Sequence, residues 1–210
     1  MLPLLQNFQT AILADGAFPE HAVPLSFLKK AQRIICCDGA AEKLLLSGRE
    51  PDYIVGDFDS ISPELKRRFA AILFPDPDQE TNDLTKAVRF CLQHGWKEIT
   101  VLGATGKRED HTLGNLSLLL DYAQSARVQL LTDYGVFLPQ RQPAVYESYR
   151  GQQVSLFSLA PATRFTTQNL VYPLNNQPLT AWWQGTLNES CGESFSIHID
   201  CGEALVFREY

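Results

Sequence analysis

The chain has 210 residues, of which 45% are hydrophobic and 20% charged, and a net charge of −6. That length and balance give a globular protein with a substantial core, as one large domain or two small ones, and exclude a disordered chain. An acidic chain without a basic stripe lacks the surface that neutralises a nucleic-acid backbone, and no apolar run is long enough to span a bilayer.

The first ten residues show no basic start followed by an apolar core, so no signal peptide is expected. Cys36, Cys37, Cys91, Cys191 and Cys201 form no CxxC pair and are odd in number. A reducing, cytoplasmic setting fits them better than a disulfide framework.

Short apolar runs alternate with helical patterns through the first two-thirds of the chain. Residues 10–13 predict a strand ending at Asp15-Gly16, and residues 24–31 a helix. Residues 33–37 predict a second strand ending at Asp38-Gly39, then a short helix over 40–46 closed by Gly48. Residues 53–55 predict a third strand that Gly56 ends; a helix over 63–70 follows, capped by Asp59 or Ser60. Residues 71–74 predict a fourth strand. Leu84, Ala87, Val88, Cys91 and Leu92 form one apolar stripe at helical spacing, with Thr81 or Asn82 as cap and Asp83 in the first turn. Residues 99–102 and 128–131 predict strands on either side of a helix over 111–122. This alternation predicts an α/β domain over 1–138, a mainly parallel sheet with helices on both faces.

From about Pro139 the helical patterns stop. Residues 153–159, 192–199 and 204–207 predict antiparallel strands, with turns at Asn175-Asn176 and Cys201-Gly202. Phe195 to Ile199 alternates, with His198 on the polar side. The expectation is a small antiparallel β-sandwich over 139–210, marginal on its own and in need of the first domain or a second copy.

In an open parallel sheet, ligands bind beyond the carboxyl ends of the strands. The residues there are Asp15-Gly16, Asp38-Gly39-Ala40, Asp57-Phe58-Asp59, the run from Asp78 to Asp83, and the run from Gly103 to His111. A crowd of acids on one rim exceeds what helix capping requires. If the chain stays extended, Asp57 and Asp59 share a face while Phe58 turns to the core. Two adjacent carboxylates call for a cation, and a hard ion such as Mg²⁺, which also bridges to phosphates, answers that need. Gly103-Ala-Thr-Gly-Lys-Arg108 is no P-loop, because two residues rather than four separate its glycines and Arg follows Lys. Its glycines, the Thr105 hydroxyl, Lys107 and Arg108 nevertheless suit phosphate. Asp110 is open between a helix cap and a metal or substrate ligand, and His111 between a general base and a structural residue. Tyr172, Trp182 and Trp183 are open between ring stacking and core. On the Asp-x-Asp pair alone, a metal-dependent nucleotidyltransferase acting on a nucleotide-sugar, or a non-catalytic sensor, are alternative readings.

Asp38-Gly39-Ala40, Gly56-Asp-Phe-Asp-Ser60, Asp78-Gln79 with Asp83-Leu-Thr-Lys86, and Gly103 to His111 with Asn115-Leu116 occur in an order that resembles the thiamine pyrophosphokinase family. The resemblance covers essentially the whole chain. It implies an α/β nucleotide-binding domain joined to a β-sandwich, a homodimer binding thiamine where subunits meet, and Mg²⁺-assisted pyrophosphoryl transfer from ATP to thiamine, giving thiamine diphosphate and AMP. By motif, Asp57, Asp59 and Asp83 resemble the Mg²⁺–ATP acids, with Asp110 beside them as a catalytic residue. Asp38, Gly39, Gln79, Thr105, Gly106, Lys107, Arg108 and His111 fall in the ATP-binding motifs. Tyr172, Thr186 and Asn188 resemble the thiamine-binding segment. The chain departs from the family pattern at Asn169, where Gly is usual, at Leu187, which replaces a Ser, and at Asn82, which replaces a frequent Thr.

Overall fold

A computed structural model of the chain describes residues 9–210; residues 1–8, within the stretch where no signal peptide is expected, lie outside it. The chain divides into two compact units between Asp133 and Tyr134. The boundary expected after residue 138 falls inside strand β7 (Gly135–Gln140). Pro139, which donates no backbone hydrogen bond and reads as a strand breaker, lies within that strand opposite Leu205.

The first unit runs β1 (Thr10–Leu13), α1 (Ala22–Lys30), β2 (Arg33–Cys37), α2 (Ala40–Leu46), β3 (Tyr53–Gly56), α3 (Pro63–Arg68), β4 (Leu73–Pro75), α4 (Asp83–Gln93), β5 (Glu98–Leu102), α5 (Glu109–Tyr122) and β6 (Arg127–Leu131). Its strands pair in the order β4-β3-β2-β1-β5-β6, all parallel. Ile12 sits between Ile35 and Val101, all three essentially inaccessible, which is why these strands read as continuous apolar runs. From β1 the chain winds outward to β4, returns across the sheet to β5 and continues to β6. Helix α4 packs on β1, β2 and β3 and touches α5, and the right-handed crossover rule puts these two on one face with α1, α2 and α3 on the other. The reversal of direction beside β1 opens a crevice at the carboxyl ends of β1 and β5.

Local structure differs from the sequence expectation in three places. Ser62, not Asp59 or Ser60, caps α3 by accepting from Leu65 N–H at 3.3 Å. A 3₁₀ turn over Ala70–Ile72 takes the beginning of the expected fourth strand. Helix α5 starts at Glu109, so Asp110 lies within its first turn rather than at the cap.

The second unit continues from β7 with β8 (Ala144–Glu147), β9 (Gln153–Phe157), β10 (Arg164–Gln168), β11 (Gln177–Pro178), β12 (Asn188–Glu189), β13 (Ser194–Ile199) and β14 (Ala204–Glu209). Its antiparallel strands pair as β12-β9-β14-β7 and as β11-β10-β13-β8. Phe195, Ile197 and Ile199 from one group pack with Val154, Leu156 and Val206 from the other. His198, on the opposite face, is exposed and paired with Asp200.

Candidate active site

At the ends of β1 and β5, the two loops that follow lock together. Gly16 N–H donates to Gly103 O at 2.6 Å and Ala17 N–H to Thr105 O at 2.8 Å. A Cβ on Gly16 would lie 2.3 Å from Gly103 O, so only glycine permits this approach. The result is a cavity of about 450 Å³, within the range of small-molecule sites. Asp15, Asp57, Gln79, Asp83, Thr105, Lys107, Arg108 and His111 line it. Part of the sequence rim meets in this pocket; Asp38, Gly39, Asp59, Asp78, Gly106 and Asp110 are not among its lining residues.

The acids divide into two arrangements. Asp38, Asp57 and Asp59 each offer a carboxylate oxygen within 4.8 Å of the other two. Extended alternation does not bring Asp57 and Asp59 together, as the sequence suggested. Phe58 takes a left-handed conformation, φ +66°, burying its ring while Asp57 Oδ1 accepts Asp59 N–H at 3.2 Å. A bulky residue held there stores about 1–3 kcal/mol of strain, a cost found at functional sites. That hydrogen bond, with lesser help from Gln79 and Lys86, holds the Asp57 carboxyl below its ordinary range. Asp38 is buried; Ser60 N–H donates to its Oδ2 at 3.2 Å, while Oδ1 has no hydrogen-bond partner. Burial, with smaller contributions from Asp83 and Asp59, pushes this carboxyl up to about 6. A buried carboxylate oxygen without a donor, beside two further carboxylates, is a donor set that fits a hard divalent cation.

Asp83 and Asp110 lie outside this trio. Asp83 opens α4, with its Oδ1 accepting from Lys86 Nζ at 3.0 Å. Asp110 is forked by Arg108, at 3.0 Å from Nε and 2.5 Å from Nη2, and accepts His111 N–H at 2.9 Å. These bonds hold its carboxyl near 2, which makes it a poor proton acceptor at neutral pH. Asp78 organises its own loop, accepting from Glu80 N–H, Thr81 Oγ1 and Arg89 Nη2. Gly39 precedes α2, and a Cβ there would meet Asp15 Oδ2 at 3.3 Å. Gly106, at φ +85°, packs where a Cβ would lie 2.6 Å from Ala17 Cβ.

In the second unit, Asn188 Oδ1 accepts Tyr172 N–H at 3.0 Å and its Nδ2 donates to Tyr172 O at 2.7 Å. The buried amide therefore fixes the backbone beneath the exposed Tyr172 ring, and both its ends are committed to that task. Thr186 Oγ1 donates to Trp183 O at 2.7 Å. Asn169 has φ +61°, a conformation glycine adopts freely and asparagine tolerates, so Asn serves there. Leu187 has φ +57° and is 73% exposed, so strain accompanies little packing. Leu187→Gly is expected to raise stability by about 1 kcal/mol, read as a higher melting temperature. A lower one would show that the leucine side chain contributes more than its conformation costs.

The thiamin pyrophosphokinase catalytic-domain family matches residues 25–130, and the thiamin pyrophosphokinase substrate-binding-domain family residues 135–207. The chain belongs to the thiamine pyrophosphokinase family. Thiamine pyrophosphokinase 1 of Oryza sativa subsp. japonica is 31% identical over 72% of this chain and 69% of its own. The Bacillus subtilis thiamine pyrophosphokinase is 28% identical, covering 80% of this chain and 83% of its own. A thiamin pyrophosphokinase family protein from Enterococcus faecalis has the same fold, at a TM-score of 0.81, 23% identity, and coverage of 96% and 99%. As a thiamine pyrophosphokinase family member the chain is an enzyme, a transferase of thiamine diphosphate formation, and the nucleotidyltransferase and sensor readings are not favoured. Enzymes of this family use a divalent metal.

At this candidate site, two features rest on residues that the sequence motifs contain but to which the sequence reading gives no role. Asn115 Nδ2 donates to Ala104 O at 2.9 Å, and Asn115 Oδ1 accepts from Asn82 Nδ2 at 3.0 Å. Asn82 Oδ1 in turn accepts Thr85 N–H at 2.9 Å, and Thr85 Oγ1 lies 2.6 Å from Tyr122 OH. The relay ties the glycine loop to the start of α4, where Asp83 sits, and gives Asn82 a reach that threonine lacks. Asn115→Ala is expected to cost about 1–2 kcal/mol in a denaturant melt and to lower kcat; an unchanged midpoint would dismiss the relay. The second feature is Lys86, a charged residue on the buried face of α4 among Leu84, Ala87 and Val88. A lysine three residues after an aspartate on an apolar stripe is the signal that would have found it.

Proposed function

We propose that the chain transfers the pyrophosphoryl group of ATP to the hydroxyl of thiamine with Mg²⁺, releasing AMP and thiamine diphosphate. The observation that carries this reading is the buried, unpartnered Asp38 oxygen in a trio of carboxylates beside a pocket lined by Thr105, Lys107 and Arg108. Asp38, Asp57 and Asp59 would hold Mg²⁺, with Asp83 at the pocket wall next to them. When bound, the ion offsets charge on the polyphosphate. Backbone N–H groups of the 103–108 loop, the Thr105 hydroxyl, Lys107 and Arg108 hold the phosphates, with Gln79 and His111 along the wall. The thiamine hydroxyl oxygen attacks the β-phosphorus and releases its proton to solvent, the bond from that phosphorus to the α-phosphate oxygen breaks, and AMP leaves. Little covalent chemistry falls to the protein, so positioning and charge dominate.

The second unit is the thiamine-binding part of this reading. Asn188 holds the Tyr172 backbone so that its ring, 67% exposed, can stack on a cationic thiazolium, with Thr186 nearby in sequence. Exposure of Trp183 at 74% and Leu187 at 73% supports a homodimer in which a second copy completes that surface. A cytoplasmic location belongs to the same reading. It is supported by five free cysteines, and among the described residues no helix is long and apolar enough to cross a membrane. Incubation with Mg-ATP and thiamine, assaying AMP and thiamine diphosphate together, tests the reaction. Equal formation of both is expected, and release of inorganic pyrophosphate in place of AMP would overturn it. Sedimentation of the protein as a monomer would remove the dimer.

A further inference from the structure

The cations around the pocket are not equivalent. Arg108 is forked to Asp110 and its side chain is 71% exposed; Lys107 lies 3.6 Å from Asp15 and is 51% exposed. Solvent and salt screen both. The Lys86 side chain is only 3% exposed, lines the same cavity, and rises from α4 to place its ammonium 3.0 Å from Asp83 Oδ1. Besides Asp83, its charge acts on Asp57 and Asp76. A buried ammonium so placed exerts the strongest field of the three inside the cavity.

Four carboxylates, Asp38, Asp57, Asp59 and Asp83, belong to this end of the pocket and its edge. One divalent ion offsets two of them. The remaining negative charge faces an incoming polyphosphate that is itself strongly anionic. We propose that Lys86 is a positioning residue that supplies the missing countercharge, opposing capture of a free divalent ion and favouring capture of the metal–polyphosphate complex. The proposal rests on the reading that nucleotide phosphates enter this pocket.

The opposite signs make it testable. In the full-length protein, Lys86→Met keeps length and apolar packing and removes the charge. Free Mn²⁺ is titrated without nucleotide and followed by the paramagnetic resonance of the unbound ion. The Mn²⁺ complex of a non-hydrolysable ATP analogue is titrated separately by calorimetry. Lys86→Met is expected to bind free Mn²⁺ about tenfold more tightly and the metal–nucleotide complex about tenfold more weakly, with Lys86→Arg close to wild type. A lysine with a purely structural role would weaken both, and that result overturns the proposal. If Lys86→Met does not fold, Lys86→Gln is judged by the same two titrations. The opposite-sign pattern in a protein whose wild type makes no thiamine diphosphate would uphold the role of Lys86 and refute the reaction. Absence of metal–nucleotide binding in wild type overturns both.

Discussion

Replacing Asp57 or Asp59 by asparagine is expected to lower kcat by at least about a hundredfold while leaving the melting temperature within a few degrees. The change is nearly isosteric, and the bonds to Asp59 N–H and from Ser60 survive it, with only the long bond from Gln79 Nε2 to Asp57 Oδ2, at 3.5 Å, lost. Asp57 Oδ1 accepts Asp59 N–H and Asp59 Oδ1 accepts from Ser60 Oγ at 2.8 Å, roles an amide oxygen fills equally well. What asparagine cannot supply is the second charge of the pair. Asp57 is held below the ordinary carboxylate range, so it is ionised throughout the working pH range and its charge is what the variant removes. Both side chains are exposed, and the left-handed turn at Phe58 that converges them rests on backbone and ring burial rather than on their charge. Steady-state AMP formation with circular dichroism decides the matter. Turnover near wild type in both variants would eliminate the assignment of these acids to the metal.

The sheet of the first unit was legible because burial on both faces leaves no ambiguity of period. Residues 10–13 and 33–37 match β1 and β2 in full, and Leu84, Ala87, Val88 and Cys91 of the apolar stripe are buried on α4, with Leu92 half-buried. The rim of acids was legible for a topological reason, since every predicted strand end had to open on one side. Distances between segments were not. Nothing local to Asp38 announces that its carboxylate joins Asp57 and Asp59, or that Asp83 turns instead to Lys86. Asp110 was open between a helix cap and a ligand, and nothing local shows that Arg108, which suits phosphate, forks onto it instead. In the second unit, β10 escaped notice because only Phe165 and Thr167 of its five residues face the core, and the threonine reads as polar. The odd residues Asn169 and Leu187, read from the family pattern as departures, both have left-handed backbones, so they are conformational positions before they are contact positions.

Asp38→Asn is expected to stabilise the metal-free protein and to abolish the stabilisation expected from Mg²⁺ at the proposed site. Burial, reinforced by Asp83 and Asp59, pushes the Asp38 carboxyl up to about 6 in the folded state, against 3.8 for a free side chain. The folded protein therefore holds this proton more tightly than the unfolded chain. No penalty exists at pH 3, where both states are protonated; it develops as pH rises through the interval between the two values and is complete above about 6. At pH 7.5 the ionised carboxylate costs about 1–2 kcal/mol, less than the whole shift would give because solvent reaches the neighbouring Asp57 and Asp59. Asparagine carries no such charge, and its amide retains the oxygen that accepts Ser60 N–H. In EDTA at pH 7.5 the variant should melt several degrees above wild type, and the gap should close toward pH 4. If the trio holds Mg²⁺ as proposed, the ion binds the folded state alone and should raise the wild-type melting temperature in proportion to the logarithm of its concentration. The variant has lost the one buried, unpartnered carboxylate oxygen of the trio and should not respond. A variant less stable than wild type in EDTA, or one that gains as much from Mg²⁺, would show that this acid serves the fold and not the ion.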